Sequence, residues 1–149
     1  DQHHMDEAER IELDELVDAV VQRHQRRTSC SIGYTATSSQ IMAAPALIER
    51  AVSNMIDNAL KWNPPNSSIQ VEVENGSIRV SDKGPGIPVE EHEQVFERFY
   101  RTESARSFPG SGLGLSIVRH VAESFGGQAR IINHDQPGTT IELSFPPSV

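Results

Sequence analysis

The chain has 149 residues, 36% of them hydrophobic, with a formal net charge of −8 and one cysteine. Its size predicts one compact domain, and because no apolar run approaches about 18 residues, we expect neither a transmembrane helix nor membrane contact. The negative charge excludes nucleic acid as a partner, since binding a polyanion needs clustered lysines and arginines. His3, His4 and Met5 are typical of a tag remnant, so residues 1–5 are left out of the fold prediction.

The first predicted elements are an amphipathic helix over residues 10–24 and a strand over residues 30–36. The apolar side chains of the helix recur at helical spacing: Leu13, Leu16, Val17 and Val20. The rest of the helix is charged, so we interpret residues 6–29 as a linker toward a separate domain. The main domain is then residues 30–149.

A long helix and a β-hairpin are predicted next. Pro45 suits a first helical turn, and Pro64 ends the helix because proline cannot continue it. The apolar positions between them repeat at helical spacing: Leu47, Ile48, Ala51, Val52, Met55, Ile56, Ala59 and Leu60. Residues 69–73 and 78–80 alternate apolar and polar side chains around the turn Asn75-Gly76, which predicts two antiparallel strands.

The second half of the chain predicts a long loop, a helix and two strands. The loop is rich in glycine and proline, and a short helix near residues 90–99 is its one candidate element; loops of this length are usually functional or disordered. A helix follows Gly112, and strands are predicted near residues 128–133 and 139–145. The sum is an α+β sandwich with helices on one face of a mostly antiparallel sheet.

The long helix carries the first candidate site. With about 100° per residue, Asn54 and Asn58 lie about 40° apart, and Asn58 is at the border of the apolar face. An amide oxygen is a ligand that Mg²⁺ accepts beside phosphate oxygens. Lys61 falls on the same side of the helix, where its ammonium group would reach a phosphate. The alternative is a pair of hydrogen-bonded amides at the edge of the core.

Asp82 begins the second candidate site, at the end of a predicted strand. A carboxylate there accepts a hydrogen bond from an exocyclic amine such as that of adenine. Gly84 and Gly86 let the backbone approach a flat ring closely. An ordinary glycine and proline turn is the alternative.

A third candidate site is a glycine-rich stretch that runs directly into a helix. Its residues are Gly110, Ser111, Gly112, Leu113, Gly114 and Leu115. Free amide groups at a helix N-terminus, together with the helix dipole, favour a bound phosphate. No Lys-Ser/Thr pair closes the stretch, so it is not a Walker A loop. A hinge without a ligand is the alternative.

Three arginines lie between the second and third sites in an otherwise acidic protein. Arg98, Arg101 and Arg106 suit a segment that closes over a triphosphate, with Phe96 and Phe99 as its anchors. The alternative is a surface helix that packs its aromatic side chains on the core.

The order and spacing of these motifs over residues 12–146 resemble the nucleotide-binding domain of sensor histidine kinases, those of actinobacteria in particular. This domain belongs with gyrase, Hsp90 and the mismatch-repair ATPases. The N box is residues 54–62, the glycine boxes begin at Asp82 and Gly110, and the phenylalanine box is residues 96–101. The resemblance implies a Bergerat-type two-layer sandwich, with residues 30–149 as the ATP-binding catalytic domain and an ATP lid over about residues 84–110.

The resemblance also implies roles for individual residues. Asn58 is the implied Mg²⁺ ligand, and Asp82 binds the adenine amine. The implied catalytic residues, which face the phosphates, are Asn54, Lys61, Arg101 and Arg106. Further ATP contacts are implied for Trp62, Gly84, Gly86, Ile87, Gly110, Gly112, Leu113, Gly114, Leu115 and Thr139. Trp62 replaces the usual tyrosine, and its indole still stacks but lacks the hydroxyl.

The implied reaction is γ-phosphate transfer from Mg-ATP to a histidine on the dimerization domain of the same kinase, for onward transfer to a response regulator. Hydrolysing relatives place a glutamate four residues before the metal-binding asparagine, whereas this chain has Asn54, which cannot act as a general base. His24, His92, His120 and His134 lack the context His-Glu-x-x-Thr/Asn-Pro of an acceptor. The implied location is cytoplasmic, in a parent protein anchored in the membrane.

Two other functions are compatible with the sequence. One is an enzyme of the same fold with another reaction, either a slow ATPase or a serine kinase that acts on a regulatory protein. The other is a degenerate module that docks a response regulator and has a silent nucleotide site. The phenylalanine box favours the histidine kinase over the first, and the intact Asn58, Asp82 and glycine boxes argue against the second.

Overall fold

The computed structural model describes residues 7–97, 114–132 and 137–147. Its α-helices in these ranges are α1 (Leu13–Gln25), α2 (Pro45–Trp62) and α3 (Gly114–Ser124). Its strands are β1 (Glu9–Glu12), β2 (Ile32–Ala36), β3 (Gln40–Ala43), β4 (Ile69–Glu74), β5 (Ser77–Ser81), β6 (Gln128–Ile132) and β7 (Thr140–Ser144). None of the described helices is both long and apolar enough to cross a membrane.

Five strands form the main sheet, in the order β2-β4-β5-β7-β6. Strand β2 runs parallel to β4, and the other neighbouring strands pair antiparallel, as predicted for most of the sheet. The β4–β5 hairpin turns at Asn75 and Gly76, whose φ angles of 50° and 79° are the left-handed values that a tight turn requires. The long helix, the hairpin and the last two strands are confirmed with nearly their predicted bounds.

One hydrophobic core lies between the helices and the inner face of this sheet. Helix α2 buries one side against it: Ile48, Ala51, Val52, Met55, Ile56 and Ala59. The strands contribute every second residue, as their pleat requires: Ile69, Val71, Val73, Ile78, Val80, Ile141 and Leu143. The predicted α+β sandwich with a mostly antiparallel sheet is confirmed.

Helix α1 is part of this core, and its predicted role as a linker toward a separate domain stays a prediction. Leu13, Val17 and Val20 are 0% exposed, and burial of each such side chain contributes about 1.5–3 kcal/mol. The helix packs against α2, β2 and β4, and the Tyr34 hydroxyl donates to the Asp14 carbonyl at 2.6 Å. The boundary predicted after residue 29 therefore does not separate two cores.

Two local features were not predicted from the sequence. Strands β1 and β3, of four residues each, form a separate antiparallel sheet. The single helix expected near residues 90–99 is wrong in type, because two 3₁₀ turns, Val89–Glu91 and Gln94–Phe96, occupy its described part. Short strands with distant partners and single 3₁₀ turns have little periodic signal of their own.

An ion-pair ladder crosses the outer face of the sheet. Glu142 of β7 accepts hydrogen bonds from Arg79 of β5 at 2.8 Å and Arg130 of β6 at 2.6 Å. Burial raises the pKa of Glu142, but the hydrogen bonds from the two guanidinium groups outweigh it and hold the pKa below its ordinary value. The same register places Ser81 opposite Thr140, so Asp82 and Thr139 emerge side by side.

His24 joins helix α1 to helix α2. It is 5% exposed, its Nε2 hydrogen-bonds the Ser53 hydroxyl at 2.8 Å, and its Nδ1 lies 3.4 Å from Asp57 Oδ1. Burial is the largest influence and lowers the pKa of His24, against the raising effect of Asp57 and with the lowering effects of Arg27 and Arg23. The folded domain therefore favours the neutral imidazole.

We expect the free energy of unfolding to fall as the pH drops below 6.5, the ordinary pKa of histidine. The unfolded chain takes up the proton there, whereas folded His24 takes it up only at lower pH, where the loss levels off. The measurement is urea unfolding at several pH values for the wild type, His24→Gln and the exposed-site control His120→Gln. The difference between the wild type and His24→Gln should shrink as the pH falls. A difference that is constant with pH would contradict the assignment.

Candidate functional site

Helix α2 carries the polar residues of the first predicted site along the edge of its buried face. Asn54 and Asn58 are half-buried, one turn apart, as the helical spacing predicted. The Asn54 Nδ2 donates to the Gly114 carbonyl at 3.3 Å. The asparagine helix therefore contacts the start of helix α3, where the sequence predicts phosphate binding.

The C-terminal end of helix α2 meets the loop that follows β5. A Cβ atom built on Gly84 would lie 2.5 Å from the Trp62 carbonyl oxygen, so only glycine permits this approach. Asn58 lies one helical turn, about 6 Å along the axis, from both Asn54 and Trp62. It therefore stands between the contact with α3 and the contact with the Asp82 loop.

Asp82 is held in a defined position at the end of β5. It is 4% exposed, its Oδ1 accepts the Gly84 N–H at 2.8 Å, and its own N–H donates to the Thr139 carbonyl at 2.9 Å. Thr139 is buried as well. The structure thus brings together residues that the resemblance assigned to adenine from two distant parts of the sequence.

Two further glycines allow the same close packing. Gly138 has φ 130°, and a Cβ built on it would lie 2.1 Å from the Asp82 carbonyl oxygen. Gly86 has φ 84°, and its Cβ would lie 3.2 Å from the Gly138 carbonyl oxygen. Backbone therefore approaches backbone at this place without side chains between. The predicted approach of Gly86 to a flat ring stays a prediction.

The remaining described residues of the predicted site lie near these contacts. The Lys61 ammonium is 5.5 Å from the centroid of the half-buried Trp62 ring. Ile87 is half-buried, and its carbonyl is 2.9 Å from His92 Nε2. Leu115, in the first turn of α3, packs against the core.

Asn63 is a contact residue that the sequence reasoning treated only as the end of a helix. Its Nδ2 donates to the Ser67 carbonyl at 2.7 Å, and its Oδ1 accepts the Lys83 N–H at 2.9 Å. A polar residue between an N box and a proline is the available signal, because an amide there can bond to backbone groups of segments that pack beside the helix end.

The phenylalanine box is anchored on helix α3. Phe96 is 3% exposed, and the Arg119 guanidinium carbon lies 4.6 Å from its ring centroid. Arg119 also pairs with Glu93. The described part therefore agrees with the packing of an aromatic side chain on the core, and the sequence reasoning did not identify Arg119 as its partner.

Several predicted residues lie outside the described ranges. They include residues 1–5, the later part of the predicted lid beyond residue 97, and Arg98, Phe99, Arg101, Arg106, Gly110, Gly112 and Leu113. Their assignments stay predictions.

Comparison with known proteins identifies related sequences. The family model described as Histidine kinase-, DNA gyrase B-, and HSP90-like ATPase matches residues 43–149. The chain is 40% identical to the signal transduction histidine-protein kinase/phosphatase MprB of Mycolicibacterium vanbaalenii and 39% identical to MprB of Mycobacterium tuberculosis. Each alignment covers 93% of this chain, which spans 31% and 29% of the length of these relatives.

Solved structures show the same relationship over nearly the whole chain. A structure of the mycobacterial sensor histidine kinase MprB has a TM-score of 0.78 and 37% identity, and the match covers 95% of this chain and 99% of that one. The ATP binding domain of PrrB from Mycobacterium tuberculosis has a TM-score of 0.77 and 25% identity, with 97% and 100% covered. The similarity extends to sequence as well as fold.

Proposed function

The chain belongs to the family of histidine kinase-, DNA gyrase B- and HSP90-like ATPases, among the sensor histidine kinases, and we propose that it binds Mg-ATP and transfers the γ-phosphate to a histidine on a separate helical dimerization domain. The family description supports the use of ATP. We further propose Mg²⁺ as the metal, a histidine as the acceptor, and the roles of individual residues given below.

One observation carries the proposal. Helix α2 contacts the start of α3 through Asn54 and the Asp82 loop through Trp62, with Asn58 between them. In a nucleotide the ribose separates the base from the phosphates. A nucleotide site therefore needs groups that bind phosphate at one end and groups that bind the base at the other. The single helix α2 supplies the phosphate-facing amides and also adjoins the base-facing carboxylate.

The donor set along α2 fits a magnesium ion bound with phosphate. Mg²⁺ in nucleotide sites is held by few protein oxygens together with phosphate oxygens and water. The Asn58 amide oxygen would be such a ligand, and Asn54 and Lys61 would face the phosphates. When bound, the ion would neutralise phosphate charge. The first turn of α3, with Gly114 and Leu115, would direct backbone N–H groups at the phosphates.

The Asp82 loop fits an adenine base. The carboxylate would accept a hydrogen bond from the exocyclic amine, and Trp62 would stack beside the ring. Gly84, Gly86, Ile87 and Thr139 would line the base. The close backbone packing at Gly84 and Gly86 holds the loop that carries Asp82 against Trp62 and Gly138, which supports a fixed position for the carboxylate.

Transfer, rather than hydrolysis, is the reaction we propose. An unprotonated imidazole nitrogen of the acceptor attacks the γ-phosphorus. The bond between the γ-phosphorus and the oxygen that bridges it to the β-phosphate breaks, and ADP leaves. Asn54 has no basic group to activate a water molecule. Arg101 and Arg106 are proposed for the γ-phosphate on the resemblance alone.

The surroundings of this domain are also proposals. The acceptor histidine would lie on the dimerization domain of the same kinase, and the phosphate would pass to a response regulator. We place this domain in the cytoplasm, in a membrane-anchored parent protein. The names of the MprB relatives include a phosphatase activity; for this chain we propose the kinase step alone.

The experiment is to incubate the domain with γ-labelled Mg-ATP and a separately supplied helical domain that carries His-Glu-x-x-Thr/Asn-Pro. We expect label on that domain, labile in acid and stable in alkali, as for phosphohistidine. The control acceptor carries His→Gln at the same position. Acid-stable label on serine, or release of free phosphate without transfer, would contradict the proposal and favour a serine kinase or an ATPase.

A further inference from the structure

Asn63 connects the end of helix α2 to two other segments. Its backbone is extended, with φ −70° and ψ 134°, because Pro64 follows it. Its side chain donates to the Ser67 carbonyl and accepts from the Lys83 N–H, at 2.7 and 2.9 Å. The Nδ2 group also lies 3.7 Å from Cys30 Sγ. The two backbone partners have fixed donor or acceptor character, so they determine the orientation of the amide.

The bond to Lys83 acts on the segment that carries Asp82. Asp82 is the preceding residue, and its carboxylate binds the N–H of Gly84 on the other side of Lys83. The Trp62 carbonyl lies 2.5 Å from a Cβ built on Gly84, so the segment is packed against the helix end. Asn63 thereby links the segment that carries Asp82 to the end of the helix that bears Asn58.

We infer that Asn63 is a positioning residue that sets the base selectivity of the nucleotide site, an inference that rests on the proposed function. A carboxylate distinguishes an amine from a carbonyl at C6 of a purine only while it points at that group. Without the Lys83 bond, the Asp82 loop loses one of the contacts that orient it. Water then mediates contacts to either base, and the selectivity falls.

We expect the fold to tolerate the loss of the Asn63 side chain with a modest fall in melting temperature. Asn63 and Lys83 line an open groove of about 620 Å³ together with Ser67 and Ser68. Because the groove is open, we expect water to replace the lost hydrogen bonds to the Ser67 carbonyl and the Lys83 N–H. The variant Asn63→Ala is therefore suited to a binding experiment.

The test compares the affinities of Mg-ATP and Mg-ITP by calorimetry, since ITP carries a carbonyl in place of the C6 amine. In the wild type we expect a preference for ATP, and in Asn63→Ala we expect that preference to fall about tenfold, the effect of one hydrogen bond. Asn63→Asp keeps the acceptor for Lys83 and loses the donor to Ser67. It should retain most of the preference.

The matched control is Gln25→Ala, which removes another half-buried amide that bridges two backbone groups. Gln25 donates to the Cys30 carbonyl at 2.8 Å and accepts from the Ile32 N–H at 2.9 Å. We expect a similar fall in melting temperature and an unchanged preference for ATP. A loss of preference equal to that of Asn63→Ala would overturn the inference, because both effects would then come from stability alone.

The outcomes separate the inference from the proposed function. A wild-type domain that binds neither nucleotide contradicts the proposed function. If the wild type prefers ATP and Asn63→Ala keeps the full preference, only the positioning role is overturned. The same holds if Asn63→Asp shows no preference. A preference lost in Asn63→Ala, retained in Asn63→Asp and unchanged in Gln25→Ala supports it.

Discussion

Replacement of Asn58 by alanine is expected to lower phosphoryl transfer to the histidine-bearing domain by at least about 100-fold, since a metal acting on phosphate oxygens contributes several kcal/mol to the barrier. The substitution removes the one protein oxygen that we assign to Mg²⁺. Asp82 and Trp62 stay in place, so the base is still recognised. Because Asn58 is only half-buried, the domain should remain folded.

The measurement is the initial rate of transfer from labelled ATP over a range of Mg²⁺ concentrations. Asn58→Asp retains an oxygen ligand and should keep more activity than Asn58→Ala. The neighbouring Asp57→Asn is the control, because the Asp57 side chain is 65% exposed and turns toward His24. Transfer by Asn58→Ala at the wild-type rate would refute the metal assignment.

Asp82→Asn is expected to weaken Mg-ATP binding by about 10- to 100-fold, as hydrogen bonds to a charged group contribute about 1.5–3 kcal/mol. An asparagine oxygen can still accept the Gly84 N–H, so the loop keeps its shape. Its amino group, however, would face the adenine amine. Both groups are hydrogen-bond donors, so no hydrogen bond forms between them. Toward the C6 carbonyl of ITP the same amino group is a suitable donor.

Calorimetry with Mg-ATP and Mg-ITP checks this expectation. The preference for ATP should disappear or reverse in Asp82→Asn. A general loss of structure would instead lower the affinities for both nucleotides by the same factor. Thermal unfolding of the variant without nucleotide serves as the control for folding. If Asp82→Asn keeps the full preference for ATP, Asp82 does not read the base.

Much of the secondary structure followed from local patterns. The helix Pro45–Trp62 combines a proline start, a proline stop and an unbroken apolar repeat. The hairpin around Asn75 and Gly76 combines alternation with a turn that needs positive φ. These signals concern neighbouring residues, so no distant contact is needed to interpret them.

Helix α1 shows what local patterns do not predict, namely the packing partners of a helix. Its apolar stripe predicted a helix correctly, but a stripe does not say what covers it. The structure shows that α2, β2 and β4 cover it, with His24 as a polar link to Ser53. The structure thus adds that this segment packs on the core, whereas its role as a linker toward a separate domain stays a prediction.

For the candidate site, the motifs identified Asn54, Asn58 and Asp82, because amides, carboxylates and glycines in that spacing resemble a known family. The roles of these residues stay predictions. Asn63 was missed, since its importance comes from a hydrogen bond to Lys83, twenty residues later in the chain. The arginines assigned to the γ-phosphate lie outside the described residues.

The sequence by itself determined the long helices, most strands of the main sheet, their order and the residue types available for nucleotide chemistry, because helical and strand periodicity and turn residues act over a few positions. The tertiary structure decided that α1 joins the core, that Asp82 adjoins Thr139, and that Asn63 joins the end of α2 to the Asp82 loop. These contacts link distant parts of the chain. They depend on strand register and on close backbone packing, which no local pattern specifies.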